Sequence, residues 1–393
     1  MTQSSPARRK IVVVYRGQLL PFSETFIRSQ ILALKRWRAI LMGETYLTSG
    51  LSLAGVESGL ILPATGRWHR AAFHMFRYAG LAYPPVIREL RRVGADLIHA
   101  HFGTSAVEIW PYARSLGLPM LVTLHGYDIT VDRLWWQAGH GGKHMRSYPA
   151  NLLALVKEPA VRFLAVSEAI REEALRFGIP DDRIAVSYVG VDPCGFAPGP
   201  TPLAARKYRV LYVGRFVEKK GVCYLIEAIG RLASEIPGLE LILVGDGPLR
   251  DSLRAQCTLL GVRAEFKGAL SSDEVRREMD GARALCLPSI TASNGDAEGL
   301  GLVLLEAQAA GLPVLTSARG GATEAVLHEV SGFRFPEKDV STLTMQLRQL
   351  LSNDRLLESM SEAAVENVAR RFDIRDRIKT VEDQYDKLLK ETA

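Results

Sequence analysis

The stretch Leu287–Thr316, LPSITASNGDAEGLGLVLLEAQAAGLPVLT, decides the fold. Ala284–Leu287 is an apolar run of strand length. Thr291–Glu298 is polar and carries a glycine, as a loop does. Gly299–Ala310 has apolar residues at 302, 304, 305 and 309, the spacing of one helix face. Gly311, Leu312 and Pro313 stop that helix, and Val314 and Leu315 begin the next strand. Strand, loop, helix and strand in this order make one unit of an α/β domain.

Two carboxylates sit in it, Glu298 and Glu306. Eight helical steps of about 1.5 Å span about 12 Å, close to the sugar-to-ribose separation in an extended sugar nucleotide. Glu298 lies at the expected helix mouth, where backbone N–H groups favour an anion. One unit of this kind can hold sugar hydroxyls, a diphosphate and ribose hydroxyls in a row. The plainer alternative is two solvated helix glutamates.

The segments PSITASNGDAEGLG and LLEAQAAGLPVL resemble the glutamate-pair signature of the retaining family 4 glycosyltransferases. Within that family they are most similar to bacterial exopolysaccharide and colanic-acid-type enzymes. The resemblance covers nearly the whole chain and is strongest from 210 to 335. It implies a GT-B fold, with two doubly wound, Rossmann-like α/β domains facing each other across a cleft. An acceptor-binding domain is expected over 1–200 and a donor-binding domain over 205–372. A last helix, about 374–393, is expected to pack back on the first domain after a break near Phe372–Asp373.

The chain's length of 393 residues allows two such cores. Hydrophobic content of 47% and charged content of 23% are those of an ordinary soluble protein, and no apolar run reaches the length of a membrane span. The start, ARRKIVVVY, meets Arg16 after a short apolar run, so it reads as a strand rather than a signal peptide. Cys194, Cys223, Cys257 and Cys286 form no C-x-x-C pair; reduced thiols in a cytoplasmic protein are expected. The net charge of +6 is uneven: residues 1–200 carry 23 Lys and Arg against 15 Asp and Glu, the remainder 26 against 28. A basic first half suggests an anionic partner.

In the first half, Ile11–Tyr15 is a strand and RGQLLPFSETF leads into a helix from about Glu24 to Lys35, with Ser23 suited to its N-cap. The resemblance implies that Gly17 lets backbone amides approach the donor phosphate and that Glu24 faces the acceptor. Residues 66–94 interleave Arg67, Trp68, Arg70, Phe73, Phe76, Arg77 and Tyr78, which suits a helix lying on anionic lipid, or else a helix with one core face and one basic face. Lys35, Arg36, Trp37 and Arg38 could extend that surface. Single-stranded nucleic acid would want similar residues, but no nucleic-acid module accompanies them, so none is expected as a partner.

DLIHAH (96–101) is a strand with His99 and His101 on one face; a metal pair there lacks a third ligand, and His101 is expected at the acceptor side. MLVTLHGYD (120–128) is a strand ending in His125, Gly126 and Asp128, where open α/β sheets place their chemistry. His125 is assigned to the transferred sugar, as the resemblance implies, and Asp128 to orienting its ring. GHGGKH (139–144) reads as a mobile acceptor-side loop. Ser167 caps the helix that follows it. VGVDPCGFAPGPTP gathers Pro and Gly, and the domain boundary is expected near 198–206.

In the second half, Arg215 and Lys220 stand at a strand-end glycine turn and helix start, placed to neutralise a diphosphate. Lys219 is expected in solvent. Gly245-Asp246-Gly247-Pro248 is half of a dinucleotide fingerprint, with Arg250 at the third glycine and only Glu265 as a ribose acid, so a dehydrogenase is disfavoured. Gly268, Ala269 and Leu270 are expected to offer backbone groups to the nucleobase. Ser271 and Glu274 have capping-box spacing.

The expectation is a retaining transfer of sugar from a UDP- or GDP-sugar to a glycan or lipid-linked acceptor in exopolysaccharide synthesis. His125, Glu298, Arg215 and Lys220 would serve the chemistry. Gly17, Gly268, Ala269, Leu270, Glu298, Gly299, Leu300, Gly301 and Glu306 would hold the donor, and Glu24, His101 and Asp128 the acceptor side. No cofactor and no metal are expected, because no paired Asp-x-Asp is present. A cytoplasmic protein, peripheral on the inner membrane face, is expected. A sugar-nucleotide hydrolase, epimerase or phosphorylase, or a non-catalytic sugar-nucleotide binder, are the alternatives.

Overall fold

The structure, a computed structural model, describes residues 8–21, 24–47, 50–62, 66–317 and 319–392. The proposed Ser23 cap lies outside them. By internal contacts the chain divides into two compact units. The first comprises residues up to Val166, Ile170–Gly190 and Ile374 onward; the second comprises Ser167–Ala169 and Val191–Asp373.

The first unit has β1 (Ile11–Tyr15), β2 (Gln18–Leu19), β3 (Arg38–Gly43), β4 (Thr45–Tyr46), β5 (Ser58–Leu60), β6 (Leu97–His101), β7 (Met120–Leu124), β8 (Val161–Ala165) and β9 (Ile184–Val186). Seven of them form one parallel sheet in the order β5-β3-β1-β6-β7-β8-β9; β2 and β4 pair separately. Every residue of β1, β6 and β7 is buried, so these strands read as continuous apolar runs rather than alternating ones. One face packs Val12, Val14, Leu97, Leu121 and Leu164 against Ile27 and Ile31 of the helix Thr25–Ala33 and Ile378, Val381 and Tyr385 of the last helix, Ile374–Thr392. Each such side chain contributes on the order of 1.5–3 kcal/mol by burial.

The second unit has β10 (Arg209–Val213), β11 (Glu240–Val244), β12 (Ala264–Gly268), β13 (Ala284–Leu287), β14 (Val314–Ser317) and β15 (Gly332–Phe335), all parallel, in the order β12-β11-β10-β13-β14-β15. Both sheets are therefore doubly wound, with strand order reversing between β1 and β6 in one and between β10 and β13 in the other. The residues about 198–206 are not a free linker. Leu203 is buried, and Arg206 donates to the Met279 and Ala282 carbonyls at 3.0 and 3.1 Å. Ser271 and Glu274 do form the capping box.

Residues 66–94 form two helices, Arg67–Tyr78 and Pro84–Val93, the second opening on Pro84 and Pro85 where their missing N–H groups leave no helical bond unmade. Of the surface proposed for Lys35–Arg38, the structure removes Trp37. Trp37 is buried, its indole N–H donating to Asp386 at 3.2 Å, while Arg36 pairs with Asp383 and Arg38 with Glu57. Only Trp37 turns inward; Lys35, Arg36 and Arg38 stay exposed, Arg36 paired to the last helix.

Candidate functional site

In the second unit, two loops flank the β10/β13 reversal, the position where doubly wound sheets open a crevice at their strand C-termini. The first carries Arg215 and the turn Glu218–Lys220; the second runs from Pro288 to Gly301. Gly221 joins them. It sits at φ +60°, and a Cβ there would overlap the Pro288 carbonyl oxygen. With that space empty, Ile290 N donates to the Lys219 carbonyl at 2.7 Å. The Lys220 ammonium then meets the Glu298 carboxylate at 2.6 Å, and Ser289 Oγ donates to the same oxygen at 3.1 Å.

Lys219, expected in solvent, instead pairs with Asp296 at 2.9 Å, its side chain 12% exposed. Glu218 accepts from Ser293 N and Oγ, and Glu337 from Thr291 N and Oγ1. The loop that reads as merely polar is thus fastened along its length to the 218–220 turn. Sequence spacing pairs Glu298 with Glu306 and gives no sign of Asp296 or Ser289; only the 70-odd-residue closure between β10 and β13 brings them to the lysines.

Burial opposes ionisation of Glu298, but Lys220 and Lys219, with hydrogen bonds from Lys220 and Ser289, outweigh it and hold the carboxyl at about 2. Glu298 is therefore an anion throughout the neutral range. Arg215 is exposed, and its guanidinium has no carboxylate partner among the described residues. Buried Tyr212 braces the first loop. Its hydroxyl donates to the Arg215 carbonyl at 2.9 Å, and burial, then the Glu298 charge, hold the phenol protonated well above its ordinary range, against a smaller opposing effect of Arg215.

The helix after this loop is Leu302–Ala309, shorter than the expected 299–310. Gly301 is left-handed at φ +73°, so the helix begins after it and Glu298 lies outside it. The 12 Å helical ruler from Glu298 to Glu306 accordingly does not apply. Gly299, Leu300 and Gly301 form a separate lead-in. It is held from behind: Ser167 Oγ donates to the Gly299 carbonyl at 2.7 Å, Gly321 N to the Glu298 carbonyl at 3.3 Å, and Gly321 leaves no room for a Cβ beside Gly299. Glu306, on the helix, has no side-chain partner among the described residues, and burial lifts its carboxyl to about 7. The Gly268 carbonyl accepts from Gly245 N at 2.7 Å, and Ala269 is exposed and Leu270 half-buried.

In the first unit, the ends of β6 and β7 carry a row of imidazoles. His99 is bonded on both nitrogens, to Tyr385 and Thr123 hydroxyls at 2.7 Å each. Its ring lies 4.4 Å from that of His101, confirming one shared face. His101 is buried rather than open, and its Nδ1 meets His125 Nε2 at 3.0 Å. Phe26 and Phe102 pack on His125 with ring centroids at 4.7 and 4.5 Å. Burial, then neighbouring positive charge, pushes His101 and His125 well below the usual range, so both rings are neutral. His125 can therefore offer a hydrogen bond but not a cation.

Asp128 does not orient that ring. Fully buried, it accepts backbone N–H from Gly103 at 2.8 Å, Gly126 at 2.9 Å and His125 at 3.1 Å. It clasps the turn after β7 to the helix after β6. Glu24 is likewise buried and taken in its own unit, by the Arg16 guanidinium at 2.7–3.0 Å. Gly17 follows β1 beside the Glu108 carboxylate, which pairs with Arg77. The 139–144 stretch is a hydrogen-bonded turn packed by buried Trp136 against Tyr148.

Comparison with known proteins agrees with this arrangement. Residues 198–367 match the family model for glycosyl transferases group 1, and residues 48–193 that for glycosyltransferase family 4. The chain is 31% identical over 259 residues to the putative colanic acid biosynthesis glycosyltransferase WcaL of Escherichia coli, a match spanning 64% of this chain and 61% of that protein. It is 28% identical to the amylovoran biosynthesis glycosyltransferase AmsK of Erwinia amylovora, over 87% of this chain and 83% of the relative. It is 34% identical to a GDP-mannose-dependent α-(1-6)-phosphatidylinositol monomannoside mannosyltransferase of Mycolicibacterium smegmatis, over 72% and 75%. Its fold is similar to that of Anabaena Alr3699/HepE in complex with UDP-glucose, with a TM-score of 0.77, 20% identity, and coverage of 96% and 99%. The chain belongs to the family 4 glycosyltransferases, hexosyltransferase-type enzymes of the GT-B fold.

Proposed function

We propose that this glycosyltransferase moves a sugar from a UDP- or GDP-sugar to a glycan or lipid-linked acceptor in exopolysaccharide synthesis, with retention of anomeric configuration. One observation carries the donor assignment: an exposed Arg215 without an acidic partner stands beside a Lys220–Glu298 pair at the sheet reversal of the second unit. A guanidinium fork and an ammonium there suit a diphosphate, and Glu298, an anion at neutral pH, suits sugar hydroxyls and a developing positive charge at the anomeric carbon. Glu306 has a free carboxyl for ribose hydroxyls. UDP-glucose in the HepE structure and GDP-mannose in the name of the mycobacterial relative support a nucleoside diphosphate sugar of either base.

In this reading the bond from the anomeric carbon to the leaving phosphate oxygen breaks, and one to the acceptor oxygen forms on the same face. The acceptor proton passes to the departing phosphate. Arg215 and Lys220 supply the positive charge for which other enzymes use a divalent ion, so turnover should be metal-independent. Neutral His125 contributes a hydrogen bond to the sugar, and Asp128 and Glu24 act as supports for the acceptor side rather than as direct ligands. The colanic-acid and amylovoran relatives support an exopolysaccharide product.

Incubation of radiolabelled UDP- and GDP-sugars with a bacterial membrane extract and EDTA tests the reading. Free nucleoside diphosphate together with a lengthened, labelled acceptor is the expected result. Free sugar alone would indicate a hydrolase, an interconverted nucleotide sugar an epimerase, and no turnover in EDTA a metal requirement.

A further inference from the structure

Lys220, the ammonium proposed to face the diphosphate, already has a partner in the second unit. It lies 2.6 Å from Glu298 Oε2, and Ser289 Oγ donates to the same oxygen at 3.1 Å. Both side chains of the ion pair are largely shielded from water, 13% and 14% exposed. The neighbouring lysine is no substitute, because Lys219 pairs with Asp296 at 2.9 Å. Glu298 Oε1, by contrast, has no hydrogen-bond partner among the described residues. The two oxygens of this carboxylate are therefore unequal: one is held by the protein and the other is not.

Drawing Lys220 away leaves a shielded carboxylate without its counter-charge, which is costly even when the ammonium finds a new partner. A ligand offsets that cost only if it also gives the carboxylate something. A sugar does so, because its hydroxyls donate to Oε1 and replace part of what the ammonium supplied. A bare nucleoside diphosphate has no such donor at that end. It also carries one more negative charge, since the oxygen that held the sugar has become a terminal phosphate oxygen. Against burial, Lys220 and Lys219, with hydrogen bonds from Lys220 and Ser289, hold Glu298 ionised at neutral pH, so the added charge is opposed by an anion.

We propose that Glu298 is the residue that distinguishes a nucleoside diphosphate sugar from the bare nucleoside diphosphate, by retaining Lys220 whenever no sugar hydroxyl is there to replace it. The inference rests on the diphosphate site read at Arg215 and Lys220. After transfer the hydroxyls depart with the sugar, the ion pair closes again, and the hold on the remaining nucleoside diphosphate weakens. Glu298 thus acts on product release as well as on the sugar.

Isothermal titration calorimetry of the intact protein with UDP and with GDP tests this. Whichever of the two binds, Glu298→Gln should bind it roughly tenfold tighter than wild type, the worth of one charge-assisted hydrogen bond set free. In a Lys220→Met background the same substitution should change affinity by less than about threefold, because no ammonium is left to release. Should Glu298→Gln not fold, Glu298→Ala, which lets water reach the ammonium, gives the same comparison. Equal or weaker nucleotide binding in the Glu298 variant, or an equal gain with Lys220 removed, would overturn the proposal and leave the diphosphate site standing. If neither UDP nor GDP binds to wild type or to the Glu298 variant, the diphosphate site itself is overturned, and the proposal with it.

Discussion

Lys220 and Arg215 share one proposed role but differ in what else depends on them, and that difference makes the role testable. Arg215 is exposed and holds nothing in place, so Arg215→Ala should leave the unfolding midpoint within about 1 °C while raising the barrier to transfer by roughly 2–4 kcal/mol. Lys220→Ala should lower kcat similarly and also destabilise the protein, because it strips a buried carboxylate of its 2.6 Å partner. Wild-type kcat in either variant removes that residue from the diphosphate site. Glu306 allows a second, pH-based test. Its folded-state carboxyl sits at about 7 against an ordinary 4.5, so the folded protein holds a proton there that the unfolded chain gives up between those values. Stability contributed by the neutral acid is full below pH 4.5 and is lost as pH rises to about 7, a cost of about 3 kcal/mol. Glu306→Gln should match wild type in urea denaturation near pH 4.5 and exceed it by up to that amount at pH 8. A gap that does not widen with pH would show a hydrated carboxyl. Neither test could have been framed from spacing: Arg215, Lys220, Glu298 and Glu306 were legible in the sequence as residues, but their opposite carboxyl states arise from lysines far from Glu298 in sequence and from none near Glu306.

Among elements, most strands were legible because buried parallel strands leave apolar runs of a recognisable length, but β3, whose short apolar run follows a basic stretch, and the short β2, β4 and β5 were not. Helix starts were less so. Gly299 and Gly301 look alike in sequence, yet only Gly301 takes the left-handed conformation that delays the helix and leaves Glu298 in the loop. Asp128 shows a deeper limit. From the sequence it is one more polar residue in a His-Gly-x-Asp run, whereas its work is to accept three amides from two different loops. Asp128→Ala strands those N–H groups in a buried place, at about 1–3 kcal/mol for each left unsatisfied. Unfolding free energy should fall by roughly 3 kcal/mol or more. Asp128→Asn, which keeps an acceptor oxygen, should recover part of the loss. Equal stability of Asp128→Ala and wild type in guanidinium titration would contradict the clasp.

At the scale of the whole molecule, the charge imbalance between the two halves needs an account that the ion pairs supply only in part. The last helix absorbs Arg36, and Arg77 turns inward to Glu44 and Glu108. What stays outside is concentrated. On the helix Arg67–Tyr78 and just beyond it, Trp68 is 88% exposed, Tyr78 91%, Met75 64% and Leu81 57%, among exposed Arg67 and Arg70. Among the described residues no helix is long and apolar enough to cross a membrane. Large apolar side chains left in water beside arginines suit the boundary of an anionic leaflet, where each nearby arginine adds about 1 kcal/mol. The protein should therefore float with phosphatidylglycerol-containing vesicles at low salt, and release from them as ionic strength shortens the range of the arginine attraction. Trp68→Ser with Tyr78→Ser should weaken flotation at every salt concentration, whereas Arg67→Gln with Arg70→Gln should weaken it chiefly at low salt. Because Arg77 points inward, Arg77→Gln should perturb stability rather than vesicle binding. Recovery of the wild-type protein wholly in the vesicle-free fraction at low salt would leave the exposed aromatics for another partner and assign the excess charge of the first half to the substrates alone.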